Sequence, residues 1–386
     1  MVAVAGALSI SEGGARAKWP GRASGLDPGR QCSRSFQIIL NATPSPLTSV
    51  AILRETATAE RAGLRATARI SQVHALLNDD MAVVESELER LVRDGVSPAT
   101  DSAAHLLDGG KRIRPLTVLL SAACFGAVPS SARDLAVVAE LVHLATLLHD
   151  DVVDDGQQRR GRPTPRRLWG NAVSVLAGDL LLTHALERTA SAAPPVVLTD
   201  LVATLRRLVD GEVVQLRGRT KLDLGEDIYF RIVRDKTASL FGWAARAGAI
   251  VARASAEAVA ALGEFGARVG VAFQLVDDVL DYDGDPRATG KALLGDLAEG
   301  KLTLPLVRTL AAHPALRRDV DAARGGDRRA AVRLAEAVRN CGACDAVRAL
   351  AREETKRAVD FLRVLPAGTA RELLSGIAGE LAARAA

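Results

Sequence analysis

The stretch LLHDDVVDDGQQRRGRPT, Leu147 to Thr164, sets four aspartates within six positions behind an apolar run and follows them with Arg159, Arg160 and Arg162. Asp150 and Asp154 are four residues apart, so on a helix their carboxylates leave one face a turn apart. Like charges at that spacing repel by about 0.2–0.5 kcal/mol. A helix also favours cations near its C-terminal end, where these acids fall. Both effects imply that the cluster is kept for a reason other than stability. For this cluster alone, a solvated helix end would be a sufficient explanation.

The stretch FQLVDDVLDYDGD, Phe273 to Asp285, repeats the design: an apolar helix, then Asp277, Asp278 and Asp281 at the same DDxxD spacing. Two such helix ends in one bundle can face each other across a cavity. Hard divalent cations suit that arrangement, Mg²⁺ in particular, because it binds through one or two carboxylates plus substrate phosphates while keeping waters. A di-iron bundle would want Glu plus Glu-x-x-His on facing helices, a pattern absent here.

Outward from these clusters the period is helical. Ile70, Val73, Leu76, Leu77, Met81, Val84, Leu88 and Leu91 recur at three- and four-residue steps. Further helices are predicted over 115–125, 132–153, 171–190, 195–214, 228–252 and 256–281, with several beyond Leu302. The joints DGGKRIRP, GQQRRGRPT and DGDPRATGK separate them, and no alternating strand pattern competes. The expected fold is all-α: one large single-domain helical bundle around a central cavity, spanning residues 66–386. Residues 1–65 are rich in Gly, Ser and Arg without a sustained period. They read as a disordered extension or a start assigned too far upstream, with an Arg/Ser bias like that of a transit segment.

Composition bounds the rest. The 386 residues are 48% hydrophobic and 25% charged, ample for a core, and only 3% aromatic, which favours helix over strand. A net charge of +4 is small for this length and gives no reason to expect a nucleic-acid partner. The four cysteines, Cys32, Cys124, Cys341 and Cys344, make no disulfide framework. Cys341 and Cys344 form a CxxC without a second pair to complete a zinc site, so they read as small residues in a helix–helix connection. No apolar run reaches membrane-spanning length without a charge or glycine break. A cytoplasmic protein is expected, with peripheral membrane association as an extension of that expectation.

Cations answer the two acidic clusters. GGKRIRP supplies Lys111, Arg112 and Arg114; QQRRGRPT supplies the three arginines; RDKTAS supplies Lys236 beside Thr237; two later GK steps supply Lys291 and Lys301. Arginine forks match phosphate oxygens bidentately, and lysines act on them as point charges. Two acidic platforms and two basic joints in one helical domain point to more than one diphosphate. The apolar helices behind the aspartates suggest that those diphosphates carry hydrocarbon tails.

These residues resemble the trans-type isoprenyl diphosphate synthases, or polyprenyl synthetases. The resemblance runs from about residue 70 to the C-terminus. It rests on GGKRIRP, ELVHLATLLHDDVVDD, RRGRPT, GNAVSVLAGDLLL, GEVVQL, DKTASLF, FQLVDDVLDYDGD and GDLAEGKLTLPL. It implies Mg²⁺, three ions per active site, held by Asp150, Asp151, Asp154, Asp277, Asp278 and Asp281 against an allylic diphosphate. Arg159, Lys236, Lys291 and Lys301 would grip that diphosphate, and Lys111, Arg114, His143 and Arg160 would hold isopentenyl diphosphate. Thr237 and Gln274 would line the reacting centre and help stabilise positive charge. The resemblance also implies a homodimer whose product is handed to membrane enzymes. One departure stands in GKALLGDL, Gly290 to Leu297, where Ala292 and Leu294 replace the family's usual proline and middle glycine. Phe241 and Phe273 read as core packing.

In this family the growing tail is expected to run beside the helix that ends in the first cluster. Upstream of Asp150 on that helix come Ala145, Val142 and Ala139, and none is aromatic. That wall predicts a medium- to long-chain product, such as a quinone side chain. The alternatives are a shorter-chain geranylgeranyl or farnesyl diphosphate synthase and a non-catalytic partner subunit of a prenyl synthase. A terpene cyclase would not be expected to carry the second basic joint or the second DDxxD.

Overall fold

The computed structural model describes residues 76–107, 110–159, 161–221, 225–283 and 295–383. The extension 1–65, Arg160, Lys291 and the altered positions Ala292 and Leu294 lie outside the described residues.

The helical period of the sequence becomes a helical molecule. The first described helix, α1, covers 76–91. It is followed by α2 (Ala99–Leu107), α3 (Ile113–Ala123) and α4 (Ser130–Val153). Beyond a short hairpin come α5 (Pro165–Trp169), α6 (Asn171–Ala192), α7 (Pro195–Lys221), α8 (Glu226–Ile232), α9 (Ser239–Val251) and α10 (Ala256–Asp283). The C-terminal helices are α11 (Gly295–Ala298), α12 (Leu304–Ala312), α13 (Arg317–Arg324), α14 (Arg328–Asn340), α15 (Ala343–Phe361) and α16 (Thr369–Ala383). Packing is layered: α4 lies against α3 and α6, α9 against α3 and α10, and α10 against α15.

The reason α4 and α10 sit centrally is their composition. Both are apolar on most faces, and a helix hydrophobic all round is buried. Leu141, Leu144 and Leu148 of α4 are at most 1% exposed, and each contributes about 1.5–3 kcal/mol of burial. The main core joins α3, α4 and α9, and a second apolar cluster gathers Leu275, Val279 and Tyr282 of α10 with Leu304, Leu306 and Val347. By length and composition α10 could cross a membrane, yet most of its apolar window is buried inside the protein, as befits a core helix.

Three local features differ from the sequence expectation. The run 228–252 is not one helix: between α8 and α9 the chain forms a π-helical turn, Val233–Ala238. Apolar period is blind to this, because the positions either side stay apolar while the hydrogen bonding slips by one residue. Second, α7 continues past Val214 to Lys221. Third, the joint after α4 closes as a two-residue antiparallel ladder, β1 (Gln158–Arg159) with β2 (Arg162–Pro163). Strands that short leave no alternation to read, although Gly161 with φ 73° marks the turn. The CxxC falls as expected: Cys341 caps the end of α14, Cys344 is buried on α15, and both are free thiols.

Candidate active site

Helix α4 ends in the first acidic cluster, with Asp154 as its C-cap. Asp151 is buried at 3% exposure, and its Oδ1 accepts from Arg159 Nε at 3.1 Å and Nη2 at 2.9 Å. Arg159 sits on β1, so the hairpin is what turns this guanidinium back onto the helix end. Burial raises the Asp151 carboxyl above its usual value, with Arg159 opposing. Its second oxygen is fully buried with no hydrogen-bond partner. Asp150 pairs with Lys236 Nζ at 3.4 Å, and Lys236 also contacts Glu212. Asp154 pairs with Lys301 Nζ at 3.0 Å, which Glu299 shares at 2.5 Å. Burial alone would depress the Lys301 ammonium; Asp154 and Glu299 outweigh it and hold the pKa above the ordinary lysine value. Asp155, unassigned by sequence, turns away: its side chain is 83% exposed and pairs with Arg166 at 2.8 Å.

The second cluster occupies the last two turns of α10. Asp278 is buried at 2% exposure. It accepts from Tyr229 Oη at 2.5 Å and from Gln274 Nε2 at 2.8 Å. Burial and the nearby Asp296 push its carboxyl up to about 8, against the pull of those two donors. Gln274 in turn accepts from Thr237 Oγ1 at 2.9 Å. Asp281 Oδ1 accepts from the backbone N–H of Gly295 at 2.9 Å and of Asp296 at 3.4 Å. Asp277 is half-buried beside them.

Two chains of contacts join these clusters. One runs Asp150–Lys236, then through the adjacent Thr237 to Gln274 and Asp278. The other runs Asp154–Lys301, whose N–H donates to the Asp296 carbonyl at 2.8 Å, and on to Asp281. The π turn is the hub of the first chain, since it carries Lys236 and Thr237. Helices α7 and α10 reach it through glycines: a Cβ at Gly211 would fall 2.8 Å from Lys236 N, and one at Gly270 would fall 2.6 Å from Ala238 Cα. That close approach sets Glu212 beside Lys236 and Gln274 beside Thr237.

The first basic joint lies at the start of α3. Lys111 is exposed, while the half-buried Arg114 stacks its guanidinium 4.7 Å above the Phe241 ring. Burial lowers Arg114 to about 10, with Glu140 opposing. Phe241 and Phe273 pack with ring centroids 5.8 Å apart, as core residues. His143 is half-buried on α4. Ala139, Val142 and Ala145 are completely buried in the main core; between Leu135 and Asp150 the part-exposed residues of α4 are His143, Thr146, Leu147 and His149.

Sequence reasoning did not single out Glu212, Tyr229, Glu299 or Glu140. Glu212 stands in GEVVQL and Tyr229 six residues before Asp235, but nothing in either local pattern reports the distant group each one meets.

The acids fit Mg²⁺. All donors are carboxylate oxygens, the hard ligands Mg²⁺ takes, and Asp151 keeps an unsatisfied buried oxygen. Among the described residues no three such groups converge into a ready cation cage.

A helical bundle with two aspartate-rich helix ends, linked by contact chains that pass through Lys236 and Lys301 and flanked by a basic joint, has the donor set that suits metal-bound diphosphates. Residues 97–341 match the polyprenyl synthetase family, and the chain belongs to it. It is accordingly a prenyltransferase, of a class that uses allylic and isopentenyl diphosphates. It is 37% identical over 318 residues to heptaprenyl diphosphate synthase component 2 of Geobacillus stearothermophilus, covering 80% of this chain and 97% of that one. It is 36% identical over 315 residues to octaprenyl diphosphate synthase of Escherichia coli, again covering 80% and 97%. A polyprenyl synthase from Caulobacter crescentus, solved with calcium and isoprenyl diphosphate, superposes with a TM-score of 0.78 at 36% identity, over 82% of this chain and 98% of that one.

Proposed function

We propose that residues 66–386 form a trans-polyprenyl diphosphate synthase that elongates an allylic diphosphate with isopentenyl diphosphate to a medium- or long-chain product. The observation that carries this reading is the pairing of Asp150 with Lys236 and Asp154 with Lys301, from which the two contact chains run to the second acidic cluster. Asp150, Asp151, Asp154, Asp277, Asp278 and Asp281 would hold Mg²⁺, which supplies charge neutralisation to the leaving diphosphate. Lys236, Lys301 and Arg159 already lie at those carboxylates and grip the same diphosphate's oxygens. Lys291 and Arg160 keep their assignments from sequence alone. The Thr237 and Gln274 dipoles face the carbon that becomes cationic, and the apolar helices exclude water from it. Lys111, Arg114 and His143 hold isopentenyl diphosphate, whose double bond attacks the allylic cation. A proton is then lost to the departing pyrophosphate.

The names of the octaprenyl and heptaprenyl relatives support a long product, as do the small side chains at Ala139, Val142 and Ala145. Small residues let the tail part the packed wall, where an aromatic side chain would stop it. A dimer is supported by the exposed apolar stripe Val202, Val209, Val213 and Leu216 on α7. Contiguous apolar surface at helical spacing is what a second copy would cover. The protein works in the cytoplasm and passes its lipid product to the membrane.

Incubation with Mg²⁺, farnesyl diphosphate and labelled isopentenyl diphosphate, followed by product mass, tests the reading. Products beyond twenty carbons are expected; no elongation refutes the reading that this chain acts by itself. The name component 2 favours a second reading, in which a different subunit is required. In that case the purified chain is inactive until the partner is supplied.

A further inference from the structure

We propose that Arg112 and Glu140 form a charge lock, in which Arg112 occupies a buried acid that would otherwise capture Arg114, so that Arg114 stays available to a diphosphate. This rests on the reading that Lys111 and Arg114 bind isopentenyl diphosphate.

The joint GGKRIRP holds three cations, and the middle one behaves differently. Arg112 takes a left-handed backbone conformation, φ 50° and ψ 32°, just before α3. A non-glycine residue adopts it only when its surroundings hold it there. They do: Arg112 Nε and Nη2 donate to the two carboxylate oxygens of Glu85 at 2.8 and 3.1 Å. Nη1 donates to Glu140 Oε1 at 3.0 Å, and Nη2 also reaches the Leu107 carbonyl at 2.8 Å. One planar fork therefore ties α1, the end of α2 and α4 to the joint, a geometry a lysine cannot copy. Gly110 makes room for it, because a side chain there would strike the folded-back guanidinium. With its side chain only 11% exposed and its donors engaged, Arg112 has little left to offer a ligand.

Arg114 is in the opposite state. Its Nε is buried without a hydrogen-bond partner, and its guanidinium rests on the Phe241 ring. A buried, under-satisfied guanidinium is costly unless an anion completes it. Glu140 is the hazard. Its side chain is 4% exposed, it stands one turn from His143 on α4, and it acts electrostatically on Arg114 as well as on Arg112. A buried carboxylate demands a counter-charge. With Arg112 in place the demand is met. Without Arg112, Arg114 is the cation left acting on Glu140, and pairing between them would draw Arg114 away from the diphosphate. Arg112 is thus a positioning residue rather than a catalytic one.

The experiment compares KM for isopentenyl diphosphate and for the allylic substrate in Arg112→Met, Glu140→Gln, the double variant, Arg112→Lys and Lys111→Ala. Arg112→Met should raise the isopentenyl diphosphate KM about tenfold or more, with the allylic KM and kcat within about threefold. The double variant should return the isopentenyl diphosphate KM to within about threefold of wild type, since the competing acid is gone although the staple is still missing. A purely structural role predicts no such recovery. A double variant no better than Arg112→Met, or an equal rise in both KM values, overturns the lock. Should Arg112→Met not fold, Glu140→Gln alone still decides: it should keep the isopentenyl diphosphate KM within about threefold, and a tenfold rise overturns the proposal. Arg112→Lys, which retains charge but not the fork, should fall between wild type and Arg112→Met; wild-type behaviour would overturn the requirement for the fork. Lys111→Ala separates the layers. If it leaves the isopentenyl diphosphate KM unchanged, the substrate assignment fails; if it raises that KM while Arg112→Met does not, the lock alone fails.

Discussion

Replacing Tyr229 with Phe removes a single oxygen from the floor of the second acidic cluster. The Tyr229 hydroxyl donates to Asp278 Oδ2 at 2.5 Å, and both residues are at most 6% exposed. The ring itself should stay, packed edge-on to Phe230 with centroids 5.2 Å apart. The loss is therefore one hydrogen bond to a buried carboxyl, worth about 1.5–3 kcal/mol above about pH 8, where Asp278 is ionised. Spread over about 300 ordered residues, whose unfolding entropy is about 2.1 cal/mol/K each, that lowers Tm by about 2–5 °C. Because Asp278 is one of the six carboxylates assigned to Mg²⁺, the same change should loosen its orientation. The Mg²⁺ concentration giving half-maximal activity should rise about tenfold, the equivalent of about 1.4 kcal/mol. Differential scanning fluorimetry reads the first effect and a Mg²⁺ titration of initial rates reads the second. A Tm within 1 °C of wild type together with an unchanged Mg²⁺ requirement would refute the idea that Tyr229 holds this cluster.

Ala145→Phe should shorten the product by several isoprene units, read by chromatography of the dephosphorylated alcohols; an unchanged length distribution would move the wall away from this face of α4. Val209→Asp sets a charge in the exposed apolar stripe of α7, where Val209 is 62% exposed. It should convert a dimer to monomer by light scattering while leaving the far-ultraviolet circular dichroism unchanged, and a persistent dimer would place the interface elsewhere. Lys236→Met should raise the allylic KM by about tenfold or more with little change in the isopentenyl diphosphate KM, by steady-state kinetics.

The sequence revealed most where one residue type carried its own reason. Aspartates at a helix C-terminus are unfavourable unless something binds there, so the two DDxxD runs stood out, and the helical period around them gave the bundle. The partners of those aspartates were less legible. Glu212 looks like a solvated acid on α7, and only the glycine-permitted approach to the π turn turns it toward Lys236. The π turn left no trace in a three- and four-residue apolar period. Tyr229 meets Asp278 across 49 positions, a contact no local pattern encodes. Arg112 was visible as a cation, but its left-handed backbone and its engagement by two acids emerge only when α1 and α4 are brought together.

The central claim is that both acidic clusters act on one metal-bridged diphosphate. It is tested most directly by binding of a non-ionising allylic thiolodiphosphate, measured calorimetrically with and without Mg²⁺ in wild type, Asp150→Ala and Asp277→Ala. Wild type should bind tightly only with Mg²⁺, and either substitution should remove that Mg²⁺-dependent gain while helicity stays intact. Full Mg²⁺-dependent affinity in either variant would contradict the shared clamp.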